Sequence, residues 1–169
     1  MAVRADLIGI KEQIQTVLLA ANTTTASPID LSANLSNSKR VQQVLKIHPE
    51  MIVPQASFFP LVTCYITDKD VTQADIAKDQ LSSKRRAKIH VDIVGSVWNN
   101  NFVTLDEDPA DEDIGYLMEN IELALRSDPN LSTKVNWQIA KGCQYYTTVL
   151  DEQTHLRSGI LKIECDVFY

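Results

Sequence analysis

The chain has 169 residues, of which 44% are apolar and 22% charged, with a formal net charge of −6. That length and apolar content suffice for one domain with its own core and exclude a chain too polar to fold. The net acidity is the wrong sign for a general nucleic-acid binder, which neutralises phosphates with clustered Lys and Arg.

The amino-terminal segment reads as an amphipathic helix ending at Ala21. Leu7, Ile10, Ile14, Val17, Leu18 and Ala21 recur at helical spacing, while Lys11, Glu12, Gln13 and Gln15 take the other face. Asn22 and the run Thr23, Thr24, Thr25, Ala26, Ser27 and Pro28 stop it, because such residues favour local bonds or lack a donor. From Asn22 to Ser38 the chain reads as a long polar loop anchored by Ile29, Leu31 and Leu35. Arg40 to Ile52 is ambiguous: Val41, Val44, Leu45 and Ile47 fit a short helix that Pro49 ends. Pro54 and Pro60 bracket an extended connector, and Leu61 to Ile66 is the first strand, rich in β-branched and aromatic residues.

Thr67 to Lys84 is rich in Asp and Lys, and its Val71, Ile76 and Leu81 are too sparse for a core face. It reads as a long hairpin arm or loop, mobile when the protein is alone and suited to docking. The residues expected to carry such docking are Asp68, Asp70, Asp75 and Lys78, with Lys84, Arg85, Arg86 and Lys88 at the far end.

Arg86 to Val97 alternates cleanly. Ala87, Ile89, Val91, Ile93 and Gly95 share one face; Lys88, His90, Asp92 and Ser96 share the other. Asn99, Asn100 and Asn101 break this strand. Asp111 to Arg126 is a helix, with Ile114, Leu117, Met118, Ile121 and Leu125 as its apolar stripe. Asp111, Glu112 and Asp113 suit the positive end of its dipole and Arg126 the negative end.

Three strands are expected to complete the chain. Thr133, Val135, Trp137 and Ile139 form the first, and a Lys141–Gly142 turn leads to Cys143, Tyr145, Thr147 and Val149. After Asp151 to Arg157, Leu161, Ile163, Cys165 and Val167 face the core against Lys162, Glu164 and Asp166. The expected fold is a single α+β domain of order α-β-β-α-β-β-β, a mainly antiparallel sheet packed against two helices.

Chemistry is harder to find. Cys64, Cys143 and Cys165 are odd in number and each lies in an apolar run, so they read as buried free thiols. His48, His90 and His155 lack the HExxH spacing that places two imidazoles on one zinc. In the acidic run from Asp106, the sixth and twelfth places of a calcium loop hold Asp111 and Leu117 rather than glycine and glutamate. With five glycines there is no phosphate-cradling loop, and no Ser or Cys sits in a nucleophile elbow. We therefore expect no catalysis, no cofactor and no metal. Lys84, Arg85, Arg86 and Lys88 form the one basic cluster, which reads either as a solvated start of a strand or as a contact to an acidic partner or nucleic acid. No apolar run approaches the ~18 residues a membrane span needs. Residues Met1 to Ala21 also do not resemble a signal peptide, so a soluble protein of a reducing cytoplasm is expected.

The strand RRAKIHVDIVG, the helix DEDIGYLMENIELALRSDPNL and the final strand GILKIECDVFY together resemble the phage tail terminator (tail completion) proteins, the family that includes the minor tail protein U of phage lambda. The resemblance covers Lys84 to Tyr169, and the helix from Ala2 to Ala21 also fits. The stretch around residues 22–60 departs from it as a loop-rich insertion, and the arm around residues 67–84 remains. The resemblance implies a virion protein of the head-proximal tail end, assembled in the host cytoplasm. It forms a ring, typically a homo-hexamer, that caps the tail tube, stops its polymerisation and offers a docking surface to the head–tail connector. Its implied partners are itself, the tail tube protein, the connector and, in a contractile tail, the sheath protein. Genomic DNA passes through the lumen without specific binding, with Asp106, Glu107 and Asp108 as lumen-facing acids. The alternatives are another head–tail connector or tail tube ring subunit, which as a tube protein would self-polymerise, and a small nucleic-acid-binding α+β domain using Lys84 to Lys88.

Overall fold

The computed structural model describes residues 5–22, 30–36, 40–73, 85–99, 109–152 and 154–169. Helix α1 spans Leu7–Ala21, strand β1 Gln43–Leu45, β2 Leu61–Gln73 and β3 Arg85–Asn99. Helix α2 spans Pro109–Arg126, β4 Trp137–Val149 and β5 His155–Phe168. The five strands form one sheet in the order β1-β2-β3-β5-β4, antiparallel except for the β1–β2 pair. This is the α+β domain expected, with the element order α-β-β-β-α-β-β.

Both helices cover one face of the sheet. Ile10, Ile14 and Leu18 of α1 and Ile114, Leu117, Met118 and Ile121 of α2 are buried against Val62, Cys64, Ile89, Val91, Ile93, Leu161, Ile163 and Cys165. These are the stripes read from the sequence, and burying them supplies the main driving force for folding. Asp6 caps α1 by accepting from Gly9 N at 2.9 Å. Asp113, 4% exposed, does more than face the dipole of α2, because it accepts from Ser36 N at 2.6 Å and from Ser36 Oγ at 2.7 Å. Asn120 Nδ2 donates to the carbonyls of Leu31 and Ala33, so α2 holds the residue 30–36 turn from two points.

Three differences from the expected elements have physical causes. Val41 to Leu45 do not form a helix. Gln42 N instead donates to the Pro60 carbonyl at 2.8 Å, and Gln43–Leu45 pair in parallel with Leu61–Thr63. The first strand continues past Ile66 to Gln73 because β3 offers it partners down to Arg85, so part of the supposed arm is sheet. Thr133–Ile139 and Cys143–Val149 are not two strands. Trp137–Val149 runs as one along β5, and Lys141–Gly142 is absorbed as a bulge between Ala140 and Gly142, where Gly142 takes φ 145°. Leu131, Ser132 and Thr133 form a left-handed turn (φ 46°, 48° and 72°), tied by Ser132 N to Asp128 Oδ1 at 2.9 Å and by buried Leu131.

Candidate assembly surface

The second face of the sheet carries no α-helix, only the short 3-10 turn Ala56–Phe58 at one end. At that end Phe59, Leu61 and Leu156 form a small apolar cluster with Phe58 and Trp98, the Phe59 and Trp98 rings 5.5 Å apart. Beside it the face carries the buried Thr63, Val94, Ser96 and Ser158, and its far end is charged, to which a register shift in β2 adds two aspartates. Ile66 points to the helices, and the irregularity between Ile66 and Asp68 inserts one residue. Asp68 and Asp70 are thereby set opposite His90 and Lys88, while Lys69 and Val71 pair with Ile89 and Ala87. Without that shift the two aspartates would face the apolar core.

Charges then cross-link the strands. Arg86 Nε lies 2.6 Å from Asp166 Oδ1, and Lys88 Nζ lies 3.1 Å from Glu164 Oε1. Lys141 Nζ reaches the other Glu164 oxygen at 3.5 Å, and His90 Nε2 stands 3.3 Å from Asp70 Oδ2. Burial by itself pushes the Glu164 carboxyl up, but Lys88 and Lys141 outweigh it and hold the group below its ordinary 4.5. Asp92 goes the other way: burial raises it, and Lys162, His90 and His48 offset this only in part. Thr67, Asp68, Asp70, His90, Asp92, Lys141 and Lys162 rim an open cleft of about 440 Å³ on this face.

Of the residues singled out by sequence, Asp68, Asp70, Arg86 and Lys88 come together on this face. Arg85 lies at the start of β3 opposite Gln73. Asp75, Lys78 and Lys84 lie outside the described residues, as do Asp106, Glu107 and Asp108. Within the basic cluster, Arg86 and Lys88 are both engaged by buried carboxylates. Glu164, Asp166 and Lys141 were missed as members of the site. Their alternation in the sequence marks a polar face, but which strands meet on it depends on topology.

The two edges of the sheet differ. Just before β1, Val41 N donates to Ser32 Oγ at 3.1 Å and the Val41 carbonyl accepts from Asn22 Nδ2 at 2.7 Å, and in β1 the Val44 carbonyl accepts from Gln15 Nε2 at 2.6 Å, so side chains cap the main chain there. At β4, no strand among the described residues pairs with the outer side. Trp137, Ile139, Tyr145, Tyr146 and Val149 are all exposed along it, Val149 to 63%. Lys141 and the bulge beside it are devices that block strand addition, but from Cys143 to Val149 the edge has no charge, proline or bulge.

Among the described residues no group of three His, Cys, Asp or Glu side chains is placed to hold a metal ion. No helix among them is long and apolar enough to cross a membrane. No protein-family model matches the chain, and no curated protein matches it.

Proposed function

We propose that this protein is a structural subunit of a phage tail, a ring-forming terminator that caps the tail tube and presents a docking surface to the head connector. One observation carries the reading: the sheet face away from α1 and α2 has no α-helix on it, and its part formed by β3, β5 and the end of β2 is laid with paired charges. Such a face is built for contact with another protein, because the intramolecular pairs hold its side chains in place before docking. The resemblance of β3, α2 and β5 to tail terminators supplies the identity of that partner, the end ring of the tail tube. A nucleic-acid-binding role has less support, since two of the four basic residues it would use are neutralised within the fold.

The test is to mix the protein with purified tail tubes and image the ends while following elongation by added tube subunits. Density at one end only, with elongation blocked, is the expected result. Bare ends and continued growth would sink the proposal, and self-polymerisation into long tubes would replace it with a tube subunit.

A further inference from the structure

We infer that two copies of this chain pair through the outer edge of β4, antiparallel and centred on Tyr145, and that this dimer is the free form of the protein. The inference goes beyond the tail reading and needs only this chain.

The direction of each main-chain group follows from two bonds. Leu150 N donates to the Thr154 carbonyl at 2.9 Å, so Leu150 points at β5 and its alternates Val149, Thr147, Tyr145 and Cys143 point outward. Past the bulge the outward position is Ala140. Gln138 also points outward, but its N–H is taken by the Pro129 carbonyl at 2.9 Å. The open run therefore extends from Ala140 to Val149, and Tyr145 is its middle once the bulge is counted.

A second β4 laid antiparallel on this run sets Tyr145 against Tyr145, Cys143 against Thr147 and Ala140 against Val149. All the outward groups are then satisfied, with roughly ten main-chain bonds. The register is self-complementary in two further ways. Lys141, the one charge in the strand, falls beside Thr148 of the second copy rather than beside its own mate, so no like charges meet. Ala140 and Gln138 line a notch of about 100 Å³ with Leu125, Pro129, Leu161, Ile163 and the charged pair Glu122 and Arg126, on the helix side of the sheet. Val149, exposed in one copy, lies next to the notch of the other, and the two-fold repeats this contact. The other sheet edge cannot substitute, because β1 pairs over three residues, its Val44 carbonyl accepts from Gln15 Nε2 at 2.6 Å, and Val41 before it is capped. A ring whose subunits all point one way contains no such two-fold, so the pairing belongs to the free subunit and opens on docking.

Light scattering on the full chain, away from any tube, tests this. The unmodified protein is expected at twice the chain mass. Thr147→Pro removes one outward N–H at an edge position that the fold tolerates, and it is expected at one chain mass. The register has its own check. In a hydrogen-bonded antiparallel pair the Cα atoms stand about 5.5 Å apart, within disulfide reach. Oxidised Thr147→Cys should therefore give a covalent dimer through Cys143, whereas Thr148→Cys should not. A single-chain mass for the unmodified protein, an oligomer that survives Thr147→Pro, or failure of the Cys143 cross-link overturns the inference. Tube capping could still succeed in each case, so the two readings fail separately.

Discussion

Arg86 and Asp166 join two neighbouring strands on the sheet face without an α-helix, guanidinium Nε to carboxylate oxygen at 2.6 Å, although Asp166 is only 1% exposed. Asn136 Nδ2 supplies a second donor to the carboxylate at 3.3 Å, and the Arg86 guanidinium also lies 5.7 Å from the centre of the Phe168 ring. Arg86→Ala leaves a buried carboxylate with one weak partner. Arg86 is itself 44% exposed, so water replaces part of the contact. The expected loss is about 1–2 kcal/mol, below the cost of breaking a fully buried pair. Urea unfolding measures it, and an unchanged midpoint would show that the pair is ornamental.

Gly159 and Gly95 let Met118 of α2 lie against the sheet. A Cβ at Gly159 would sit 2.6 Å from Met118 Cγ and 3.2 Å from Tyr145 Cε1. At Gly95 it would sit 2.7 Å from Met118 Sδ, the mobile part of a flexible side chain. Gly159→Ala is therefore expected to cost about 1–3 kcal/mol and Gly95→Ala less. Adding Met118→Ala to Gly159→Ala should recover part of the loss, a non-additivity that thermal or denaturant melts would reveal.

Glu164 and Asp92 give opposite pH dependences. The Glu164 carboxyl is held below 4.5, so its contribution is fully present above that value and is lost as pH falls through the lowered value. Asp92 is raised by burial, so the folded state gains as pH falls through its raised value and the charged form weakens it above. Glu164→Gln should shrink the loss of stability on acidification, and Asp92→Asn should stabilise the protein at neutral pH. Melting temperatures from pH 3 upward test both; a loss of stability at pH 7 in Asp92→Asn would contradict the assignment.

Burial pushes the Cys64 thiol up to about 11 and the Cys165 thiol up to about 12. Both residues are fully buried, so neither is expected to react with iodoacetamide at pH 8 until the protein unfolds. Cys143 is only partly buried and should be the first of the three to label. Peptide mass mapping after a short exposure decides the order.

Asp113 anchors the residue 30–36 turn through Ser36 N and Oγ. Asp113→Ala is expected to destabilise by about 1–3 kcal/mol, since the helix loses a charged acceptor and the turn its anchor. Hydrogen exchange at Leu31 to Leu35 should rise more than in β3, and equal rises would argue against a local anchor.

Much of the fold was legible because burial imposes a period on sequence. The stripes Leu7–Ile10–Ile14–Leu18 and Ile114–Leu117–Met118–Ile121 identified both helices, and Ile89–Val91–Ile93 with Leu161–Ile163–Cys165 identified the two central strands. Gln43–Leu45 escaped because three residues are too short for any period and their state depends on the Pro60 carbonyl. Lys141–Gly142 reads equally well as a turn or a bulge, and only continuous pairing with β5 selects the bulge.

By itself the sequence determined the α+β class, the two helical faces, the polar side of β3 and β5, and the absence of an obvious catalytic motif. All of these depend on neighbours within about one turn or one strand. Only the tertiary structure decided that β2 shifts register beside Thr67, that Arg86 and Lys88 are matched by Asp166 and Glu164, and that β4 rather than β5 is the open edge. The physical reason is that pairing order joins residues some 80 positions apart, as Arg86 and Asp166 are, and local periodicity carries no information about which strands meet.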